Sequence, residues 1–197
     1  MSMAPPTASR PTVANLPNLL TASRLGLAVV LFVCIALEAW PTGLVVFVAA
    51  AITDWLDGYL ARKQGLTSAF GRNFDPLVDK VLIGGAFIFL LPVSSAGLTP
   101  WMVTVVVARE LIITGLRSFI EGQSASFGAD WLGKVKMGLQ CAALIAILLV
   151  LAIAPSQPDL AATLRPVQMA LVYAMIVATA ASGLQYLWRA ALLLRES

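Results

Sequence analysis

Four of the ten acidic residues in the chain lie close together, between positions 54 and 79, in a sequence that is otherwise strongly apolar. Asp54 and Asp57 are three residues apart, and Asp75 and Asp79 are four residues apart. On two helices joined by a short polar loop, each pair would share one helical face. Ionised carboxylates that converge in a low dielectric repel each other strongly unless cations neutralise them. The spacing therefore predicts a metal site formed by these four aspartates.

The ligand type indicates which metal this site would hold. Carboxylate oxygens suit Mg²⁺ or Mn²⁺, and the chain has no histidine that would favour zinc. Two such ions could hold a pyrophosphate, act as Lewis acids on the phosphorus under attack and stabilise the leaving phosphate. This chemistry suits a lipid diphosphate as substrate. The alternative is a polar seam that only stabilises helix packing, but unpaired acids inside a membrane are costly and are usually functional.

Asp79 is the candidate general base. It lies one helical turn beyond Asp75 and can share its face without sharing all of its metal contacts. A carboxylate held tightly by a divalent cation is a weaker base, so an acid at the edge of the metal site suits proton transfer better. The alternatives are that Asp79 pairs with Lys80 or is only a metal ligand.

Small residues surround the aspartates. Gly58, Ala61 and Gly71 lack bulk, which would let a planar base or a phosphate approach the backbone, although small residues also serve tight helix packing. Arg62 could face a phosphate, or it could anchor the end of a helix at the membrane surface.

The composition is that of an integral membrane protein. Hydrophobic residues make up 59% of the 197 residues and charged residues only 12%, and the mean hydropathy is +0.88. The net charge of +3 is scattered, without the basic clusters and interleaved aromatics of a nucleic-acid groove, so we expect no nucleic-acid partner. Cys34 and Cys141 lie in long apolar runs and are expected to be small buried hydrophobic residues.

We predict an all-α integral membrane protein with a flexible leader over residues 1–14 and a single catalytic domain over residues 15–197. The chain shows no internal repeat. Its six predicted transmembrane helices span roughly residues 17–37, 42–62, 72–91, 100–120, 132–153 and 167–187. Gly, Pro or charged residues interrupt the apolar sequence between them. The run from Leu25 to Leu37 could alternatively be the core of a secretory signal cleaved near Ala39.

Six spans with the N-terminus in the cytoplasm place most of the Lys and Arg residues in or beside cytoplasmic segments, as the positive-inside rule requires. The aspartates then lie at the cytoplasmic ends of the second and third spans. Five tryptophans lie near the expected interfaces, Trp40 and Trp101 outside and Trp55, Trp131 and Trp188 inside.

Basic residues in the fourth and fifth spans point to a second, anionic substrate. Arg109 and Arg117 are two turns apart on nearly one face, and Arg109 lies about 12 Å deeper at 1.5 Å per residue. An ion pair of Arg109 with Glu110 or with a motif aspartate is the alternative. Lys134 and Lys136 open the fifth span, where lysines can also serve topology alone.

The aspartate sequence also has the spacing of a known family. Asp54, Asp57-Gly58, Ala61-Arg62, Gly71, Asp75 and Asp79 resemble the motif of the CDP-alcohol phosphotransferases at every defining position. The resemblance implies a homodimer with the fold of that family. It also implies that the cytidine diphosphate of the substrate lies against Asp57, Gly58, Ala61, Arg62 and Gly71.

Four further blocks, N-L-P-N-L-L-T-A-S-R, D-P-L-V-D-K, A-R-E-L-I-I-T-G-L-R and W-L-G-K-V-K, resemble the bacterial phosphatidylglycerophosphate synthases from about Asn15 to Gln140. In that family CDP-diacylglycerol and glycerol 3-phosphate give phosphatidylglycerophosphate and CMP. The resemblance implies that Arg117, Lys134 and Lys136, with Arg109 deeper in the fourth span, receive the acceptor's phosphate. Met137 departs from the family, which commonly has Thr there, so a hydroxyl donor near the expected acceptor pocket is missing.

Two other functions are compatible with parts of the sequence. A cardiolipin synthase, or a synthase that uses inositol phosphate or serine, would share the chemistry and differ in the acceptor. A phosphatidylglycerol acceptor needs an apolar lateral opening, which the nearby basic residues disfavour. A small cation transporter would use the aspartates as an ion pathway, but transporters place such sites near the midplane between repeated halves.

Overall fold

The computed structural model describes the backbone of residues 16–64, 69–121 and 131–196, and the side chains of residues 23–53, 78, 80–118, 120 and 131–192. In these residues the chain is helical and forms no strand, which confirms the predicted all-α class. The predicted leader, residues 1–14, lies outside the described residues.

Six α-helices follow one another along the chain. They are α1 (Leu16–Ala36), α2 (Trp40–Gln64), α3 (Ala69–Leu90), α4 (Pro100–Glu121), α5 (Trp131–Ile153) and α6 (Pro158–Glu196). The first five agree with the predicted spans to within about three residues at each end, which is the usual uncertainty of a helix boundary. A short 3-10 helix, Ser94–Ala96, lies between α3 and α4.

The sixth helix is longer than predicted, and the prediction that residues 158–165 belong to a connection is wrong. Helix α6 begins at Pro158, whose fixed φ suits a first helical turn. Asp159 lies in the same turn, where its negative charge interacts favourably with the positive end of the helix dipole. Pro166 lies inside the helix and does not end it. An interior proline costs about 3 kcal/mol, and packing of α6 against both α5 and α4 offsets this cost.

The helices form a closed ring. Helix α1 packs on α2 and α3, α2 packs on α5, α5 on α6, α6 on α4, and α4 returns to α3. Their inward faces build one hydrophobic core, to which every helix contributes. The core includes Leu31, Ile35, Phe47, Phe87, Leu90, Val106, Leu144, Ile147, Val172 and Met175.

The turn between α3 and α4 is fastened to α6. The Nε2 of Gln168 donates to the carbonyl oxygen of Ala96 over 2.8 Å. Gly97 adopts a φ of 71°, and a Cβ at this position would lie 2.5 Å from the sulfur of Met169. Glycine is therefore required here both by the left-handed backbone and by the closeness of α6. This turn defines one end of the bundle, and the aspartate-bearing ends of α2 and α3 belong to the other, which we call the aspartate end.

The outer surface of the ring is apolar. Every helix exposes large hydrophobic side chains, among them Val29, Val33, Val45, Ile52, Val81, Ile88, Leu111, Ile112, Leu149, Val177 and Leu184. Soluble proteins rarely expose so much contiguous apolar surface. Among the described residues, the segments Trp131–Ile153 and Pro158–Leu192 are each long and apolar enough to cross a membrane. Together these features indicate a membrane protein.

The contact between α1 and α3 depends on Gly85. A Cβ there would lie 2.3 Å from Cζ of Phe32, and that ring is stacked on Phe89 with centroids 4.9 Å apart. We expect Gly85→Ala to lower the free energy of unfolding by about 1–3 kcal/mol, because the ring must move out of its stack. Thermal unfolding of the protein in detergent micelles measures this effect.

The neighbouring Gly84 provides a matched control. A Cβ there would lie 3.8 Å from Val107, an ordinary contact. Since Ala favours a helix by about 1 kcal/mol over Gly, Gly84→Ala should be neutral or slightly stabilising. Equal unfolding temperatures for the two variants would contradict the close approach of α1 and α3 at Gly85.

Candidate active site

The motif aspartates lie on two helices, as predicted. Helix α2 carries Asp54 and Asp57 near its C-terminal end, and helix α3 carries Asp75 and Asp79 near its N-terminal end. Their side chains lie outside the described part of the structure, so their convergence on metal ions stays a prediction. The contacts predicted with the cytidine diphosphate, at Asp57, Gly58, Ala61, Arg62 and Gly71, lie outside the described part of the structure as well and stay predictions.

A buried carboxylate lies at the centre of the described polar residues. Glu110 on α4 accepts a hydrogen bond from Nη1 of Arg109 at 3.1 Å and one from Nζ of Lys136 on α5 at 2.5 Å. Adjacent helical residues do not normally face each other, and the length of the arginine side chain makes the first contact possible. The Arg109–Glu110 ion pair that the sequence left open is therefore present.

The same helix is connected to α3. The Nζ of Lys80 donates a hydrogen bond to Oγ1 of Thr114, and that hydroxyl donates to the backbone carbonyl of Glu110 at 2.5 Å. Lys80 and Arg109 are also close enough to Lys136 for their charges to repel it. Because Lys80 directly follows Asp79, these contacts place a cluster of cations beside the helix that carries two of the motif aspartates.

Helix α6 contributes an aromatic residue. Nη2 of Arg117 donates to the hydroxyl of Tyr186 at 2.8 Å, and the guanidinium carbons of Arg109 and Arg117 each lie 5.7 Å from the centroid of its ring. Both distances allow a cation–π interaction. Gly183 provides the space that this requires, because a Cβ there would lie 3.2 Å from Cγ of Arg109. Two arginines whose Cα atoms are about 12 Å apart along α4 therefore converge on one ring.

The two lysines of α5 lie in different environments. Lys136 is buried, whereas Lys134 is exposed, because two residues correspond to about 200° of rotation around a helix. Gln140, one turn beyond Lys136, is also buried on the inward face. Met137, which stands where the family commonly has Thr, packs against the hydrophobic core. The structure thus links Arg109 to Arg117 through Tyr186 and to Lys136 through Glu110. It leaves Lys134 exposed on α5.

This arrangement is suited to binding an anion. Four basic side chains take part in the contacts described above. Arg109 and Lys136 donate to the carboxylate of Glu110, Lys80 donates to Thr114 on the same helix, and Arg117 shares the ring of Tyr186 with Arg109. Their mutual repulsion favours a bound negative charge, particularly where water is partly excluded. Arginine and lysine donate short, charge-assisted hydrogen bonds to phosphate oxygens. A phosphate group is therefore the ligand that the described side chains fit best.

Two residues of this cluster were not assigned from the sequence. The sequence indicates Glu110 only as a partner of Arg109, because neighbouring positions on one helix do not show that a second cation approaches from α5. The isolated acid in an apolar helix was the available signal. Tyr186 has no local signal, since its partner Arg117 is 69 residues away in the chain.

The fold and this cluster define a helical membrane protein with a group of basic side chains on helices next to those that carry an aspartate motif. The family model for CDP-alcohol phosphatidyltransferases matches residues 14–181 of the chain. This match covers well over half of the sequence, and the chain belongs to that family.

Curated relatives that resemble the chain have one activity in their names. A Bacillus subtilis protein is 38% identical over 151 residues, covering 68% of this chain and 77% of the relative. A Rickettsia felis protein is 39% identical over 138 residues, covering 68% and 75%. Both are named CDP-diacylglycerol–glycerol-3-phosphate 3-phosphatidyltransferase. An Arabidopsis thaliana protein with the same activity in its name, a chloroplastic and mitochondrial one, is 35% identical over 151 residues and is matched over 51% of its length.

Proposed function

We propose that the protein transfers the phosphatidyl group of CDP-diacylglycerol to glycerol 3-phosphate, giving phosphatidylglycerophosphate and CMP. The observation that carries this proposal is the cluster of cations joined to α3 at Lys80, directly after the last motif aspartate. An acidic motif and a phosphate-binding cluster at one end of the bundle suit a reaction between a diphosphate donor and a phosphorylated acceptor. Membership of the family and the names of the relatives support the same reaction.

The donor half of the site is proposed to lie on α2 and α3. Asp54, Asp57, Asp75 and Asp79 would hold Mg²⁺ or Mn²⁺, with two ions per site. When bound, these ions supply neutralisation of the diphosphate and Lewis-acid activation of its phosphorus. The residues proposed to contact CDP-diacylglycerol are Asp57, Gly58, Ala61, Arg62 and Gly71.

The acceptor half is proposed to lie on α4 and α5. Arg117, Arg109 and Lys136 receive the phosphate of glycerol 3-phosphate. Glu110 fixes the last two in place, since both donate to its carboxylate. Lys134 is exposed and attracts the anion to the entrance of the site. Several cations acting on one dianion provide discrimination against acceptors without phosphate.

The transfer itself is a displacement at the β-phosphorus of CDP-diacylglycerol. Asp79 accepts the proton of the primary hydroxyl of glycerol 3-phosphate as that oxygen forms its bond to phosphorus. The bond from this phosphorus to the bridging oxygen breaks, and CMP leaves with the electron pair. The protein's part in this step is to align the two phosphates and to hold the base beside the hydroxyl.

The protein is proposed to cross the bacterial cytoplasmic membrane six times, with the aspartate end facing the cytoplasm. Apolar side chains exposed on all six helices support the six spans. Exposed tryptophans at both ends of the bundle, Trp101 at one and Trp131 and Trp188 at the other, match the two interfaces of a bilayer. The homodimer implied by the family resemblance is part of this proposal.

The test is CMP release from labelled CDP-diacylglycerol by the purified protein in detergent micelles. We expect release with Mg²⁺ or Mn²⁺ and glycerol 3-phosphate, and a phosphatidylglycerophosphate product by mass spectrometry. Glycerol is the matched control, because it offers the same hydroxyl without the phosphate that the cations bind. Phosphatidylglycerol, inositol phosphate and serine complete the panel. Release with one of these three acceptors and not with glycerol 3-phosphate would overturn the assignment of the acceptor.

A further inference from the structure

Tyr186 is a buried residue that contacts two arginines of the acceptor half. Its exposed fraction is 5%. Its hydroxyl accepts from Nη2 of Arg117 at 2.8 Å, and its ring lies 5.7 Å from the guanidinium carbons of both Arg117 and Arg109. The two guanidinium carbons are therefore no further apart than twice that distance. One aromatic ring is thus in contact with two positive charges.

The two arginines differ in what constrains them. Arg109 is also fixed by its ion pair with Glu110. Arg117 is an exposed residue, and contacts with its partners, of which the hydroxyl of Tyr186 is one, reduce the rotational freedom that an exposed arginine has. The contact with a buried hydroxyl limits that freedom in advance, and pre-organisation of this kind strengthens binding by lowering the entropy lost when the ligand arrives.

We propose that Tyr186 is a positioning residue for the acceptor, which holds Arg117 and Arg109 in the orientation that receives the phosphate. This inference rests on the proposed function and extends it to α6. Tyr186 lies beyond residue 181, where the match to the family model ends, so the family motif does not include it. The two like charges on one ring repel each other, and a bridging phosphate dianion relieves that repulsion.

Tyr186→Phe removes the hydroxyl and keeps the ring. We expect the KM for glycerol 3-phosphate to rise about tenfold, because a hydrogen bond to a charged group is lost. The kcat and the KM for CDP-diacylglycerol should stay nearly unchanged. Tyr173→Phe is the matched control, since Tyr173 lies on the same helix and is exposed. It should leave all three constants unchanged. A lower kcat with an unchanged KM for the acceptor would overturn the proposal.

A second pair of variants tests whether Tyr186 acts through Arg117. In an Arg117→Ala background, Tyr186→Phe should raise the acceptor KM by less than about twofold, because the group that the hydroxyl positions is already absent. A full tenfold effect in that background would show that the hydroxyl acts independently of Arg117, and the proposal would be wrong.

A binding measurement separates failure of this proposal from failure of the proposed function. Inorganic phosphate should raise the thermal unfolding temperature of the wild-type protein, and Tyr186→Phe should need about tenfold more phosphate for the same shift. If the wild type binds phosphate in this way but does not release CMP with glycerol 3-phosphate, the proposed reaction fails and the role of Tyr186 stands. Equal phosphate dependence of the two proteins overturns the role of Tyr186.

Discussion

Asp79→Asn is expected to lower the rate of CMP release by about 10²- to 10⁴-fold, which is the usual contribution of a general base. The amide keeps the size of the carboxylate but cannot take the proton of the acceptor hydroxyl. Asp79 follows Asp75 by one turn of α3. The next residue, Lys80, donates a hydrogen bond to Thr114 of α4. This contact fixes the N-terminal part of α3 beside the cations proposed to bind the acceptor.

Asp75→Asn is the comparison that separates the base from the metal ligands. We expect this variant to lose turnover together with divalent-ion binding, whereas Asp79→Asn should keep the binding of both Mn²⁺ and CDP-diacylglycerol. Calorimetry with Mn²⁺ and a filter assay with labelled lipid measure the two binding steps. A loss of Mn²⁺ binding in Asp79→Asn as complete as in Asp75→Asn would make this residue only a metal ligand, and retained turnover with an unchanged pH profile would exclude it as the base.

Most of the fold could be predicted because its determinants are local in the sequence. The first five helices are separated by short segments that contain Pro, Gly or charged residues, and their bounds in the structure differ little from those expected. Helix α6 differs because Pro166 is a local signal for a break, and the contacts with α4 and α5 that stabilise the continuous helix are made by residues far away in the chain. A tertiary contribution of this kind is not visible in a local pattern.

In the candidate site, too, features set within one helix could be predicted, and features set by packing between helices could not. The spacing of the aspartates within α2 and α3 follows from the sequence, because it depends on positions along single helices. The position of Lys136 could not be predicted in this way, since its distinction from Lys134 depends on which face of α5 meets α4. The ring of Tyr186 is likewise placed by packing between α6 and α4. Contacts between residues on different helices therefore could not be predicted from the sequence and are seen only in the structure.

Removal of the carboxylate at Glu110 is expected to have the largest effect on stability. Lys136 is 4% exposed and Glu110 is 9% exposed, and the lysine and Arg109 both donate to this carboxylate. Glu110→Leu leaves two cations without that partner in a region where water does not screen them. Loss of one partner of a buried ion pair typically costs about 3–5 kcal/mol, a large fraction of the stability of a typical domain. Thermal unfolding in detergent micelles should show a large decrease.

Two further variants show whether the buried charge is the cause. Glu38→Leu removes an acid from the exposed turn between α1 and α2 and should change stability little. Adding Lys136→Met to Glu110→Leu removes the buried ammonium as well, and replacement of both partners by apolar residues is often close to neutral. Arg109 still lacks its counter-charge in this double variant, so we expect it to recover part of the lost stability. It should not recover the affinity for glycerol 3-phosphate, because Lys136 also serves the acceptor. If Glu110→Leu were as stable as Glu38→Leu, or if the double variant recovered no stability, the carboxylate would not be the counter-charge that holds the cations of α4 and α5 together.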